Sequence, residues 1–415
     1  MTTTRRAGAG LATIACAGLT GFALAAPAGA ATPDAGTAGS FLTAQLAAGG
    51  DHFSTSAGGQ SYPDYGLTID AVLALDAARV GQQGAGRAAA YVSKNAASYN
   101  AMGSDLYAAA TAKLLVFAQV QGLPSAGYAG QLRSLQQPSG QFKDKSAYGD
   151  YSNTIGQSLG VIGLQRAGTP NAAATAFLLK QQCTDGGFRI SFAGACTSDP
   201  DATTYAVQAL AASGGHAAAI GKAAGFLAGK QTANGGIIEP AAGPTPNANT
   251  TALAAVAFTL AGNPAAAAKA KAFVAGLQYD CSFPAALRGG IAYDRKAFDA
   301  QKAKGKASTA IDSDRRSTSQ AVLGLTGTPY LTLTAGGSAS APSLACGAPA
   351  PTGTPSATGT ATGTATATST TTGPPIITDG GTTGTGNSAF VVGGAAAVGG
   401  VALASAGLRR RLRRR

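Results

Sequence analysis

The chain has no tryptophan, two histidines, two methionines and a single glutamate, Glu239, in 415 residues. Two scattered histidines make a histidine-built metal centre a poor expectation. His52 sits beside Asp51 in a loop and reads as a capping or surface residue. His216 follows Gly214-Gly215 at a helix end, where an imidazolium suits the helix dipole. The missing tryptophan and scarce glutamate are unlike carbohydrate-cleaving sites, which rest on paired carboxyl groups. Strand-like alternation is also scarce. No basic stripe interleaved with aromatics occurs, so nucleic acid is not an expected partner.

The formal charge of +12 is concentrated at the two ends. Residues 1–30 combine Arg5-Arg6, an apolar run from Leu11 to Ala26 and the small residues Ala28-Gly29-Ala30, the pattern of a secretory signal peptide. Residues 389–408 are uncharged and mostly apolar, long enough to span a bilayer as a helix. Residues 409–415 carry six arginines, which places this tail in the cytoplasm and the rest outside. Without the two leader arginines and these six, 22 basic residues face 18 acidic ones, an ordinary balance for an exterior domain. A cell-wall attachment after removal of the tail is the alternative to a retained membrane anchor. Residues 335–388 are rich in Thr, Gly, Ala, Pro and Ser and read as a disordered stalk. Four cysteines follow the leader, and an even number in an exported chain predicts two disulfides. Cys183 with Cys196 is the local pair, which leaves Cys281 with Cys346.

Residues 31–334 hold a repeated phrase. Phe177-Leu178, Gln182 and Gly186-Gly187-Phe188 return as Phe226-Leu227, Gln231 and Gly235-Gly236-Ile237. Leu132, Gln136, Gly140 and Phe142 keep the spacing. Phe273-Val274 and Gln278 keep its first half, and an insertion delays Gly289-Gly290-Ile291. Phe41-Leu42 and Tyr91-Val92 are fainter copies. About fifty residues per unit gives about six units. Each reads as two helices, the first carrying the phrase and the second rich in Ala and Leu. The second helices are expected near 67–78, 107–120, 155–167, 203–212, 250–260 and 317–325, packed on two sides.

This phrase resembles the Gln-x3-Gly-x-Trp repeat of terpene cyclases and protein prenyltransferases. The resemblance implies an all-α fold, an (α/α)6 toroid of six helical hairpins, in which the glutamine caps a helix end and contacts the aromatic. Phe142, Phe188, Ile237 and Ile291 stand where the family has tryptophan. The resemblance does not carry the chemistry over. Squalene–hopene cyclases protonate an alkene with the middle Asp of a D-x-D-D motif, and the match here is Asp199-Pro200-Asp201-Ala202, with Ala202 replacing the last Asp. Those cyclases also use two helical barrels, whereas this chain has one. The zinc ligands of the prenyltransferases have no counterpart here.

Aligning the second helices makes Asp64, Asp199, Asn247 and Asp314 equivalent, each followed by a threonine four residues on, with Asn153 in the third unit. N-capping accounts for such residues. In a toroid the same helix starts also ring one mouth of the central funnel. Asp64, Asn153, Asp201, Asn249, Asp314, Arg315, Arg316, Tyr65 and Tyr205 are therefore the candidate ligand-binding residues. The expected function is a non-catalytic, surface-displayed module that binds a small molecule or cell-wall component in its funnel. The alternative is a terpenoid or polyprenyl enzyme with Asp201 as acid and Asp199 in support. The enzyme needs a deep funnel that Asp201 points into; the binding role predicts a shallow or filled one. A single copy is expected, with no metal and no cofactor.

Overall fold

Alanine-rich segments with few charges favour helix and tolerate packing on every side. The computed structural model describes residues 34–57 and 59–346. The expected leader, membrane span and basic tail, and the stalk beyond residue 346, lie outside the described residues. Among the described residues, no helix is long and apolar enough to cross a membrane.

The helices are α1 (Ala35–Ala48), α2 (Tyr65–Ala78), α3 (Gln82–Lys94), α4 (Ala96–Asn100), α5 (Ala108–Val120), α6 (Ala126–Ser134), α7 (Thr154–Arg166), α8 (Ala172–Leu179), α9 (Pro200–Ser213), α10 (Ala217–Lys230), α11 (Ala248–Leu260), α12 (Pro264–Ala275), α13 (Arg295–Lys304) and α14 (Asp312–Thr326). Helices α2, α5, α7, α9, α11 and α14 are buried along most of their length, and each packs on the next until α14 meets α2. These are the six expected inner helices. An outer helix lies against each neighbouring pair, α1 against α14 and α2, and α12 against α11 and α14. The all-α toroid of six hairpins is thus the observed architecture.

Four antiparallel ribbons decorate the loops, a feature the composition did not announce. They pair β1 (Phe53–Ala57) with β2 (Gln60–Asp64), β3 (Ala101–Met102) with β4 (Asp105–Leu106), β5 (Phe188–Arg189) with β6 (Ser198–Asp199), and β7 (Ile237–Ile238) with β8 (Pro246–Asn247). Helix α13 fills the long connection before α14.

The repeated phrase is a device for joining hairpins. Gln231 donates its amide to Gly235 O at 3.0 Å and to Ala266 O, in the first turn of the next outer helix, also at 3.0 Å. Gln182 does the same with Gly186 O and Ala219 O. Gln278 reaches Gly289 O and Asp34 O, so the last repeat is hydrogen-bonded to the first. The bonds are alike in the phenylalanine and isoleucine copies, so they do not need an aromatic partner. In the third unit Gln157 of α7 takes over this role, donating to Gly140 O and Ala174 O, while Gln136 turns to Asn171. The glycine is required twice over. Gly235 has φ +93°, and a Cβ there would stand 2.2 Å from Lys269 O.

The threonines of the aligned pattern also have a structural task. Thr251 Oγ1 donates to Asn247 O at 2.6 Å and accepts from Ile237 N at 2.8 Å. Thr68, Thr203 and Thr318 repeat this with Phe53, Phe188 and Ile291. Each pins the end of the repeated phrase to the inner helix that follows it.

Both expected disulfides are present, Cys183–Cys196 and Cys281–Cys346. Residues 335–346, expected as the start of the stalk, are instead held against the toroid. Residues 327–346 form a strap across the C-terminal ends of the inner helices. Arg166 Nη1 donates to Tyr330 O and Leu331 O, Ala335 N to Val120 O, and Ser338 N to Arg79 O. Pro342 then lies against Gly36 of α1. Small, weakly apolar residues suit a strap that hugs backbone, and a composition rule alone does not register such contacts.

Candidate functional site

Four of the aligned residues are caps. Asp64, Asn153, Asp199 and Asn247 accept from the N–H of Leu67, Gly156, Ala202 and Thr250. Asp314 lies one turn inside α14, fully buried, and reaches back to Ile311 N at 3.0 Å. It also accepts from Tyr279 Oη at 2.8 Å and Gln301 Nε2 at 3.0 Å. These bonds turn its carboxylate toward the protein interior. Arg316 links Asp64 and Asp312 across the seam between α14 and α2. Arg315 donates to Gln45 Oε1 and lies 6.0 Å from the Phe53 ring centre. Tyr65 packs with Tyr91 and Tyr99. The two arginines and Asp314 therefore help to hold the ring together.

Several described side chains meet near the centre of the toroid. Lys113 of α5 pairs with Asp70 of α2 at 2.8 Å, both deeply buried. Tyr205 of α9 stacks against Tyr330 of the strap, with ring centres 5.8 Å apart. The cavity between Lys113, Tyr99, Leu159 and Tyr205 is about 10 Å³, room for a single water. The sequence reading missed this plug. Tyr330 follows the last helix and belongs to no repeat, and Asp70 and Lys113 sit unremarked within helical stretches.

Asp199 and Asp201 are brought together with a residue the sequence reading noted only for its rarity. Glu239, 3% exposed, lies in the loop before α11. Asp201, Glu239, Asn249, Thr250 and Tyr293 line a second cavity of about 10 Å³. Burial, then the charges of Asp199 and Asp201, push the Glu239 carboxyl up to about 8. Burial, then the charge of Asp199, push Asp201 up to about 7, against the opposing pull of the Thr250 hydroxyl. Burial also raises Asp199. Tyr293 is raised by burial first and then by the charges of Asp201, Asp294 and Glu239. Asp201 is therefore well placed to hold a proton near neutral pH. The residues lining its cavity are not those lining the centre of the ring.

No cluster of three or more His, Cys, Asp or Glu suited to a metal occurs among the described residues. A groove of about 510 Å³ lies outside the ring, between Asp185 and the α10 residues Lys222, Phe226 and Lys230.

No protein-family model and no curated protein matches the sequence. Solved structures do. The type II terpene cyclase MstE from Scytonema, in complex with geranylgeranyl dihydroxybenzoate, aligns with a TM-score of 0.51 at 14% identity, covering 71% of this chain and 96% of that one. Its apo form aligns with a TM-score of 0.50 at 13% identity, over 70% and 96% of the two chains. Nearly all of that cyclase chain is matched by this one toroid. The repeats, the closed double ring of helices and these matches identify the fold as an α/α toroid like that of the type II terpene cyclase MstE.

Proposed function

We propose that the protein is a non-catalytic binding module, exported and displayed at the cell surface, that recognises its ligand on the outside of the toroid. The carrying observation is the small cavity among the described side chains near the centre, about 10 Å³. A drug-sized or isoprenoid ligand needs a pocket of roughly 300 Å³ or more. The groove along α10 has that size, and its two lysines beside Phe226 suit an anionic or glycan-like component of the cell wall. The test uses the purified full chain. Retention on isolated cell-wall material is expected for the native protein and is expected to fall when Lys222 and Lys230 are both changed to Glu. Unchanged retention would count against this groove, and no retention of the native protein would count against wall binding.

A second reading keeps one specific support. Asp201, held protonated near neutral pH by burial and then by the charge of Asp199, has the makings of an acid in a fold that terpene cyclases share. On that reading Tyr330 and the Asp70–Lys113 pair must leave the centre before an isoprenoid can enter. Incubation with squalene and with geranylgeranyl-bearing substrates, followed by mass spectrometry, separates the two. We expect no cyclised product. A product that disappears in Asp201→Asn would establish the enzyme instead.

A further inference from the structure

Three oxygens at the cavity beside α9 and α11 have no hydrogen-bond donor: Asp201 Oδ1, Glu239 Oε2 and Asn249 Oδ1. Glu239 and Asn249 are 3% and 8% exposed. A buried acceptor without a partner costs about 1–3 kcal/mol, so three around one cavity call for an occupant. Once the two carboxyl groups are ionised, all three oxygens are acceptors, and the occupant that suits them is a cation. A water has two hydrogens for three oxygens and leaves two adjacent carboxyl groups without counter-charge. Lys230 is the cation whose charge acts on Glu239, but its effect is the weakest of those on that carboxyl, and its ammonium lies 5.4 Å from the Phe226 ring centre.

The donor set is oxygen throughout: two carboxyl groups, an amide, and the nearby hydroxyls of Thr250 and Tyr293. Oxygen ligands select hard cations over zinc or copper. The space, about 10 Å³, admits one small sphere and no retinue of waters. Magnesium keeps several of its waters, whereas calcium accepts a set of protein oxygens in flexible geometry. We propose that Asp201, Glu239 and Asn249 form a binding site for a single hard divalent cation of calcium type. With two carboxyl groups its affinity falls in the weak range of about 10⁻⁴–10⁻³ M that suits extracellular modules. The cation links the start of α9, the loop before α11, the first turn of α11 and the loop carrying Tyr293. This inference does not depend on where the ligand of the whole protein binds.

Terbium is a suitable probe, since a nearby tyrosine sensitises its emission and the chain has no tryptophan to interfere. The purified full chain, stripped with chelator, is titrated with Tb³⁺ and then with Ca²⁺ or Mg²⁺, and its melting is followed with and without Ca²⁺. We expect a tyrosine-sensitised signal saturating at one ion per chain, displaced by Ca²⁺ more readily than by Mg²⁺, and an upward shift in Tm with Ca²⁺. Glu239→Gln and Asn249→Ala should each weaken binding by about tenfold or more and abolish the Tm shift. Tyr293→Phe should lose most of the emission yet keep the Tm shift, which shows that the ion sits beside that ring. The proposal is overturned if native protein gives neither signal nor shift, or if both variants bind as the native chain does.

Discussion

Glu239 keeps its proton up to about pH 8 because burial and the charges of Asp199 and Asp201 oppose ionisation. Its folded pKa lies above the ordinary glutamate value of about 4.3, so the folded state binds more protons than the unfolded state between these limits. Stability therefore falls as pH rises through this window, and Asp201 acts in the same direction up to about 7. In chelator, the native Tm should decline from pH 5 to pH 8.5, and Glu239→Gln should flatten that decline above pH 6. A parallel decline in both proteins would show that the carboxyl is not buried in this way. The Asp70–Lys113 pair makes a second residue-scale prediction. Lys113→Met alone removes the ammonium that pairs with a buried carboxylate and should cost about 3–5 kcal/mol, whereas the double change Asp70→Leu with Lys113→Met should recover most of it. Denaturant unfolding of the three proteins measures both.

At the scale of the element, the repeated phrase and the threonine four residues past each cap act as one joint. Thr251→Val keeps the shape but leaves the buried N–H of Ile237 without an acceptor, an expected loss of about 1–3 kcal/mol. Gly235→Ala should destabilise more, since it meets both a positive φ and a carbonyl 2.2 Å away. Equal, small losses in the two variants would contradict this ranking. These joints explain what the sequence could reveal. The inner helices were legible because each copy of the phrase must repeat the same glutamine, glycine and threonine contacts at the same spacing. Asp64, Asn153 and Asp199 were legible as caps for the same reason. Asp314 was misread because its alignment with the other caps is correct for its carbonyl, which serves Thr318, and uninformative about its carboxylate. Glu239 and Tyr330 lie outside the repeat. Their roles come from distant chain segments meeting, and the local pattern carries no trace of that. Glu239 had one signal, its singularity in an exported domain otherwise served by aspartate.

The whole molecule is a ring that must be closed, and three kinds of contact close it. Gln278 binds Asp34 O, Arg316 binds Asp64, and the strap crosses the helix ends to Cys346. The Cys281–Cys346 bond closes a loop with a sequence separation of 65, for which chain entropy gives a stabilisation of about 4 kcal/mol. Cys346→Ser should therefore lower stability and speed hydrogen exchange across residues 327–345 while sparing α7 and α9. Unchanged exchange in the strap would show that its hydrogen bonds to Arg79, Val120 and Arg166 suffice alone. The position of that bond has a mechanical consequence. Tension applied to the polypeptide beyond Cys346 passes through the sulfur bridge into the loop after α12, and the strap is bypassed by a covalent shunt. The load then enters a hairpin that is tied across the seam to α1, so the toroid hangs from its own point of closure and its plug stays in place under strain.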